Sequence, residues 1–261
     1  MRDPFLIDEP TVISFSGGRT SAYMLYRILQ ANNGVPTNSF VCFANTGKEN
    51  EETLKFVEEC ANQWQIKIHW LEYCKDEPRF KEVTFETASR AGEPFEQLIF
   101  KRRYLPNPVA RFCTGELKIL TIDRFMKSLG IQEYLTAIGI RADEMRRAAK
   151  MADKFTPLIA AGITQKDIQD FWNGNNFNLK LPFNNGITPL GNCDLCFLKG
   201  GNQIVSLIAD KPQRAVWWAD MEEKIGGTWR SDRPAYKEML NFVDKQQDMF
   251  SDETIDCFCG D

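Results

Sequence analysis

Between Thr11 and Tyr73 the chain alternates short apolar runs with amphipathic stretches, and this alternation constrains the fold more than any other feature. "TVISFS" (11–16), "SFVCFANT" (39–46) and "IKIHWLEY" (66–73) read as buried strands rich in β-branched and aromatic residues. Between them, "SAYMLYRILQAN" (21–32) and "ENEETLKFVEECANQW" (49–64) carry apolar residues at helical spacing. The second opens with acidic side chains, which suit the positive end of a helix. A β-α-β-α-β order predicts a parallel sheet with helices packed on its faces.

No long strand is expected in the charged, proline-punctuated section 75–112. A helix over 114–129 follows, then the strand "EYLTAIGI" (133–140), the segment "KFTPLIA" and the helix "TQKDIQDFWNG" (164–174). From 176 the texture is loop-rich, with Asn, Gly and Pro marking turns, and helical patterns resume at 197–209, 212–225 and 234–247. The expected organisation is an α/β domain over 1–175, a loop-rich then helical extension over 176–250, and a flexible acidic tail over 251–261.

Composition narrows the class. With 43% hydrophobic and 26% charged residues, the 261-residue chain has enough apolar mass for a sizeable core. Its net charge of −4 argues against a protein built mainly to coat nucleic acid, while leaving room for a local basic patch. "MRDPFLIDEP" does not read as a secretory signal, and no apolar run approaches the roughly 18 residues of a membrane span. A cytoplasmic location is expected, with the eight cysteines as reduced thiols. His69, the one histidine, reads as a satisfied imidazole in a strand, so any metal site must be rich in thiolate.

Ser16-Gly17-Gly18-Arg19-Thr20-Ser21 lies where the first strand feeds a helix. Ligands of parallel α/β sheets bind beyond the carboxyl ends of strands. Two glycines let the backbone approach an anion, the free N–H groups of the helix start favour negative charge, and three hydroxyls add donors. The spacing is neither GxxxxGK[ST] nor GxGxxG. Arg141, at the end of a strand, is the best basic partner for a phosphate or sulfate. Lys101-Arg102-Arg103 reads either as a solvated helix face or as a contact to a nucleic-acid backbone. Cys193-x-x-Cys196, taken alone, reads as a zinc knuckle, a redox pair or chance.

The loop resembles the SGGxxS pattern of the PP-loop enzymes, the adenine-nucleotide α-hydrolase-like superfamily. "NTGKENEETLKFVEE" (45–59), "RFCTGELKI" (111–119), "IGIRADEMRR" (138–147) and "KFTPLIAAGITQKDIQDFW" (154–172) together resemble, in order, the segments of the phosphoadenosine phosphosulfate (PAPS) reductase family. Asn45 stands where that family often has aspartate, Thr114 where iron–sulfur members have a second cysteine, and Thr20 where many PP-loop synthetases have aspartate.

The resemblance implies a three-layer, Rossmann-like PP-loop domain with a helical, cysteine-bearing extension. It implies nucleotide binding by Ser16 to Ser21, by Asn45, Thr46 and Gly47, and by Arg141. Lys118 matches the lysine that follows the family's cysteine element. Cys113, Cys193 and Cys196 match thiolates that hold a [4Fe–4S] cluster in iron–sulfur members, with the fourth position left to Cys257, Cys259, another ligand or a sulfur species. Zinc is the alternative for the same thiolates. In PAPS reductases a tail cysteine attacks the sulfur of the nucleotide-bound sulfate, a role that falls here to Cys257 or Cys259. The implied function is reduction of adenylyl sulfate to sulfite, with thioredoxin or glutaredoxin as reductant. The rival readings are an ATP-dependent iron–sulfur sulfurtransferase acting on DNA or tRNA, and a non-catalytic nucleotide-binding module with structural zinc.

Overall fold

The computed structural model describes residues 2–149, 154–182 and 188–251. In chain order the first elements are β1 (Thr11–Ser14), α1 (Arg19–Asn32), β2 (Ser39–Asn45), α2 (Glu51–Trp64), β3 (Ile68–Tyr73), β4 (Phe80–Val83) and α3 (Glu93–Arg102). Then come α4 (Phe112–Thr114), a π-helical turn (Gly115–Ile119), α5 (Leu120–Ser128), β5 (Leu135–Ile138), α6 (Met145–Ala148), α7 (Pro157–Ala160) and α8 (Gln165–Asn173). The chain closes with α9 (Gly201–Asp210), α10 (Gln213–Ile225) and α11 (Tyr236–Ser251). Two compact units form: residues 1–101 with 112–194, and residues 102–111 with 195–261.

The first unit is an α/β fold on a five-stranded sheet of order β4-β3-β2-β1-β5, with helices on both sides. β3, β2, β1 and β5 are mutually parallel, Thr11 standing opposite both Ser39 and Leu135. β4 is the departure from an all-parallel expectation: it runs antiparallel to β3, pairing Tyr73 with Phe80. Four residues with a charged Lys-Glu centre give no clear period, and a short charged strand suits a sheet edge. Strand alternation sorts the core into two faces. Val12, Cys42, Ala44 and Leu71 pack with Ile122, Phe125 and Met126 of α5. On the neighbouring positions Phe43 and Trp70 meet edge to face, 4.9 Å between centroids.

The chain builds β1, β2 and β3 outward in one direction and later returns to place β5 on the other side of β1. The strand order therefore reverses between β1 and β5, and a crevice opens there beyond the strands' carboxyl ends.

The second unit is helical around an aromatic cluster. Trp218 lies 4.6 Å from Trp229 and 5.5 Å from Tyr236, ring centroid to centroid. The Glu222 carboxylate closes this cluster by accepting the backbone N–H groups of Trp229 (3.2 Å) and Tyr236 (2.7 Å). Among the described residues no helix is long and apolar enough to cross a membrane.

Candidate functional site

A cavity of about 310 Å³ occupies the reversal point. All six residues from Ser16 to Ser21 line it, with Gly139 and Arg141 from the end of β5. Gly17 is held at φ +73°, and a Cβ there would stand 2.6 Å from Thr53 Cγ2, so loop and α2 touch only because the residue is glycine. Gly139 does the same against α1: its Cβ would meet Ser21 Cα at 3.0 Å. No side chain caps the start of α1, where Gly18 is the N-cap. The Ser16 and Ser21 hydroxyls lie 3.0 Å apart, and Ser21 also donates to the Gly18 carbonyl at 3.0 Å. The loop is thus braced by its own serines while the positive end of α1 faces the cavity, an arrangement that suits an anion.

Arg19 lines the cavity, and its side chain has protein partners. Its guanidinium turns away to donate to Asn178 Oδ1 (2.8 Å), Thr188 Oγ1 (3.2 Å) and the carbonyls of Leu179 and Leu181. A cation buried to this degree is stable only with its donors satisfied, and burial lowers its pKa. Its carbonyl in turn accepts the Trp172 indole N–H at 3.0 Å. Arg19 therefore ties α1 to residues 178–181 and to Thr188 with its side chain.

Arg141 remains in the cavity wall, aligned by carboxylates: Nε donates to Asp143 at 2.8 Å and Nη1 pairs with Glu144 at 3.0 Å. Burial works against ionisation of Asp143, but hydrogen bonds from Arg141 and the Gln165 N–H outweigh it and hold its pKa below the usual range. Arg147 also lines the cavity and pairs with Glu144.

The Asn45-Thr46-Gly47 segment does not join this wall. Asn45 is fully buried, donating to Glu72 Oε1 (2.6 Å) and the Ser89 carbonyl (2.9 Å). Asn45, expected at the nucleotide, does not line the cavity, and its amide is engaged with Glu72 and Ser89. Gly47, at φ +77°, closes on the backbone of Gly92. Thr46 faces a second corner. Its hydroxyl and backbone N–H donate to Glu49 at 2.9 Å, and its Oγ1 lies 3.5 Å from Cys193 Sγ. Lys118, presented by the π-helical turn, stands 3.6 Å from Glu49. Glu49 and Cys193 pair as a backbone bridge, and the Asp194 N–H donates to the Lys48 carbonyl at 2.7 Å. A buried Lys48–Asp194 ion pair of 3.2 Å completes the clamp. Cys193 is thus fixed next to Gly191 and Asn192, both lining the cavity.

Sequence reasoning missed Glu49, Glu72 and Asp194. Glu49 lay within the acidic start of a helix and Glu72 within an apolar strand; only their burial marks them, and burial is not a local property.

Among the described residues no group of three or more Cys, His, Asp or Glu side chains converges so as to hold a metal ion. Of the thiolates expected as cluster or zinc ligands, Cys113 sits on α4 and Cys193 lies 3.5 Å from the Thr46 hydroxyl, both in the first unit, while Cys196 belongs to the second. Cys42 and Cys60 are buried, and burial pushes both thiols up. Cys257 and Cys259 lie outside the described residues. Lys101, Arg102 and Arg103 are exposed, with Lys101 Nζ 5.9 Å from the Tyr73 ring centre.

Comparison with known proteins gives this geometry a family. The model of the phosphoadenosine phosphosulfate reductase domain matches residues 10–192. The nin region protein ORF290 of Escherichia phage lambda, itself uncharacterised, is 30% identical over 206 residues, covering 74% of this chain and 67% of its own. An uncharacterised protein of Methanocaldococcus jannaschii is 30% identical over 145 residues, covering 55% of this chain and 25% of that longer relative.

Proposed function

The chain belongs to the phosphoadenosine phosphosulfate reductase family, and from that premise we propose that it binds an adenylyl sulfate in the β1–β5 crevice and reduces it to sulfite. The observation that carries the reading is the uncapped start of α1, which opens with Arg141 onto one cavity. Phosphate oxygens meet the N–H groups of the glycine loop, and Arg141, held in place by Asp143 and Glu144, meets the remaining negative charge. Thr20 and the apolar side chains of Ile168, Leu179 and Leu181 complete the wall.

Reduction needs two electrons. A thiolate attacks the sulfate sulfur, the sulfur–oxygen bond to phosphate breaks, and the nucleotide leaves as its monophosphate, giving a protein-bound thiosulfonate. A second thiol attacks the sulfur of the first, releasing sulfite and closing a disulfide, which a dithiol protein such as thioredoxin or glutaredoxin reopens. Cys257 and Cys259 supply these thiols in the reading favoured by the family resemblance.

The test is calorimetric titration with adenylyl sulfate, with and without a 3′-phosphate, paired with an assay of dithiol-dependent sulfite release. Binding with sulfite release, abolished by a Cys257→Ser/Cys259→Ser double variant, is the expected result. Cleavage of ATP to AMP and pyrophosphate in the presence of nucleic acid, with no sulfite formed, would replace this reading by sulfur transfer.

A further inference from the structure

We propose that Glu49 is a positioning residue, which fixes the Lys118 ammonium and the Thr46 hydroxyl beside Cys193. The inference rests on the functional reading above and gives a role to Glu49, which lies inside the family-like segment 45–59 but outside the cavity lining.

The Glu49 side chain is 3% exposed. A carboxylate so far from water needs donors, and it has them on one side from Thr46, backbone N–H and hydroxyl. The charge faces Lys118, whose side chain is 33% exposed and whose four-carbon stem has no rigid shape of its own. A fixed, dry carboxylate attracts an ammonium more strongly than a solvated one does, so Glu49 sets where Lys118 ends. The π-helical turn serves the same end: widening the helix at Gly115–Ile119 changes the direction in which Lys118 leaves the backbone.

Thr46 carries the arrangement to sulfur. With its hydroxyl hydrogen committed to Glu49, its oxygen is left to accept, and Cys193 Sγ lies 3.5 Å away. Backbone pairing of Glu49 with Cys193 keeps the two chain segments in register. One carboxylate thus orders a cation and a hydroxyl beside the thiol of Cys193, whose chain neighbour Asn192 lines the cavity.

Two measurements on the full chain test this. In steady-state sulfite release, Glu49→Gln should lower kcat by about 10- to 100-fold, the cost of a misplaced group, and leave the nucleotide KM within about twofold. The double variant Glu49→Gln/Lys118→Met should be no slower than Lys118→Met alone, since both act through one ammonium. Independently of turnover, peptide-resolved acylation should label Lys118 several-fold faster in Glu49→Gln, with the exposed Lys67 and Lys166 as references. Glu49→Asp, one methylene shorter with the charge kept, should fall between wild type and Gln, and it decides the matter if the Gln variant does not fold. Unchanged Lys118 labelling, or fully additive losses in the double variant, would overturn the proposal. Absence of sulfite release by the wild type would instead overturn the reductase reading, while the labelling still decides Glu49.

Discussion

Asn45 stands where the family often carries aspartate, and its surroundings explain the exchange. Glu72 beside it is fully buried and takes hydrogen bonds from Asn45 Nδ2 (2.6 Å), Ser89 N–H (2.6 Å) and Ser89 Oγ (2.8 Å), with Lys81 at 3.0 Å. An aspartate at 45 would exchange a donor for a second carboxylate against the first. Asn45→Asp should destabilise the chain by roughly 3 kcal/mol at pH 7, combining a lost buried hydrogen bond with like-charge repulsion. The repulsion raises the carboxyl pKa in the folded state, so this cost is present at high pH and eases as pH falls and a proton enters the pair. Urea unfolding at pH 5 and pH 7 checks the sign, with Asn45→Ala as the control that removes the donor without adding a charge. A deficit for Asp that does not shrink at pH 5 would contradict the account. The sequence marked Asn45 as polar at a strand end, which fits a ligand contact and a core contact equally well; the bond to Glu72 is a feature only the fold supplies.

At the scale of elements, the glycine loop and α1 act as one piece with α8 and residues 178–181. Gly17 lets the loop sit on α2, and Trp172 of α8 bonds the Arg19 carbonyl. The Arg19 side chain gathers the next segment onto the same turn. Arg19→Met should therefore cost about 2–4 kcal/mol, because buried carbonyls lose their donors. It should also speed chymotryptic cutting after Phe177 and Leu179. A variant with wild-type melting temperature and greatly weakened nucleotide binding would return Arg19 to the anion. The helical period of α1, α2 and α8 was legible because an amphipathic stripe is a local pattern. The π-helical turn was not, since residues 112–128 look helical throughout and one widened turn leaves no periodic trace. β4 escaped for a related reason: four residues are too few to show alternation.

Across the whole molecule, two buried groups, one in each unit, respond oppositely to pH. In the first, His69 is packed against Phe40 and Phe125 and bonds Glu82 at 2.9 Å. Burial and then Lys67 push its pKa down, outweighing Glu82. Its folded value lies below its unfolded value of about 6.5, so the unfolded chain takes the proton first and stability is lost as pH falls below that point. In the second unit, burial raises the Glu222 pKa despite the N–H donors of Tyr236 and Trp229. Its stabilising contribution is present below the unfolded value of about 4.3 and is lost as pH rises above it. Peptide-resolved hydrogen exchange at pH 4.5 and 6.5, corrected for intrinsic rates, should show β2–β3 gaining protection with pH while the α10–α11 junction loses it. His69→Gln and Glu222→Gln should each flatten one trend, and a common direction in both units would refute the assignment.

The order β1-α1-β2-α2-β3, the turn after β1 and the family resemblance were present in the sequence by itself, because period, chirality and glycine spacing act over a few neighbouring residues. Which polar side chains face the cavity was decided only by the tertiary structure. Arg19 finds its partners from Asn178 onward, Asn45 finds Glu72, and Glu49 finds Lys118. A buried polar group goes where its hydrogen bonds can be completed, and those partners are brought near by the fold rather than by the chain.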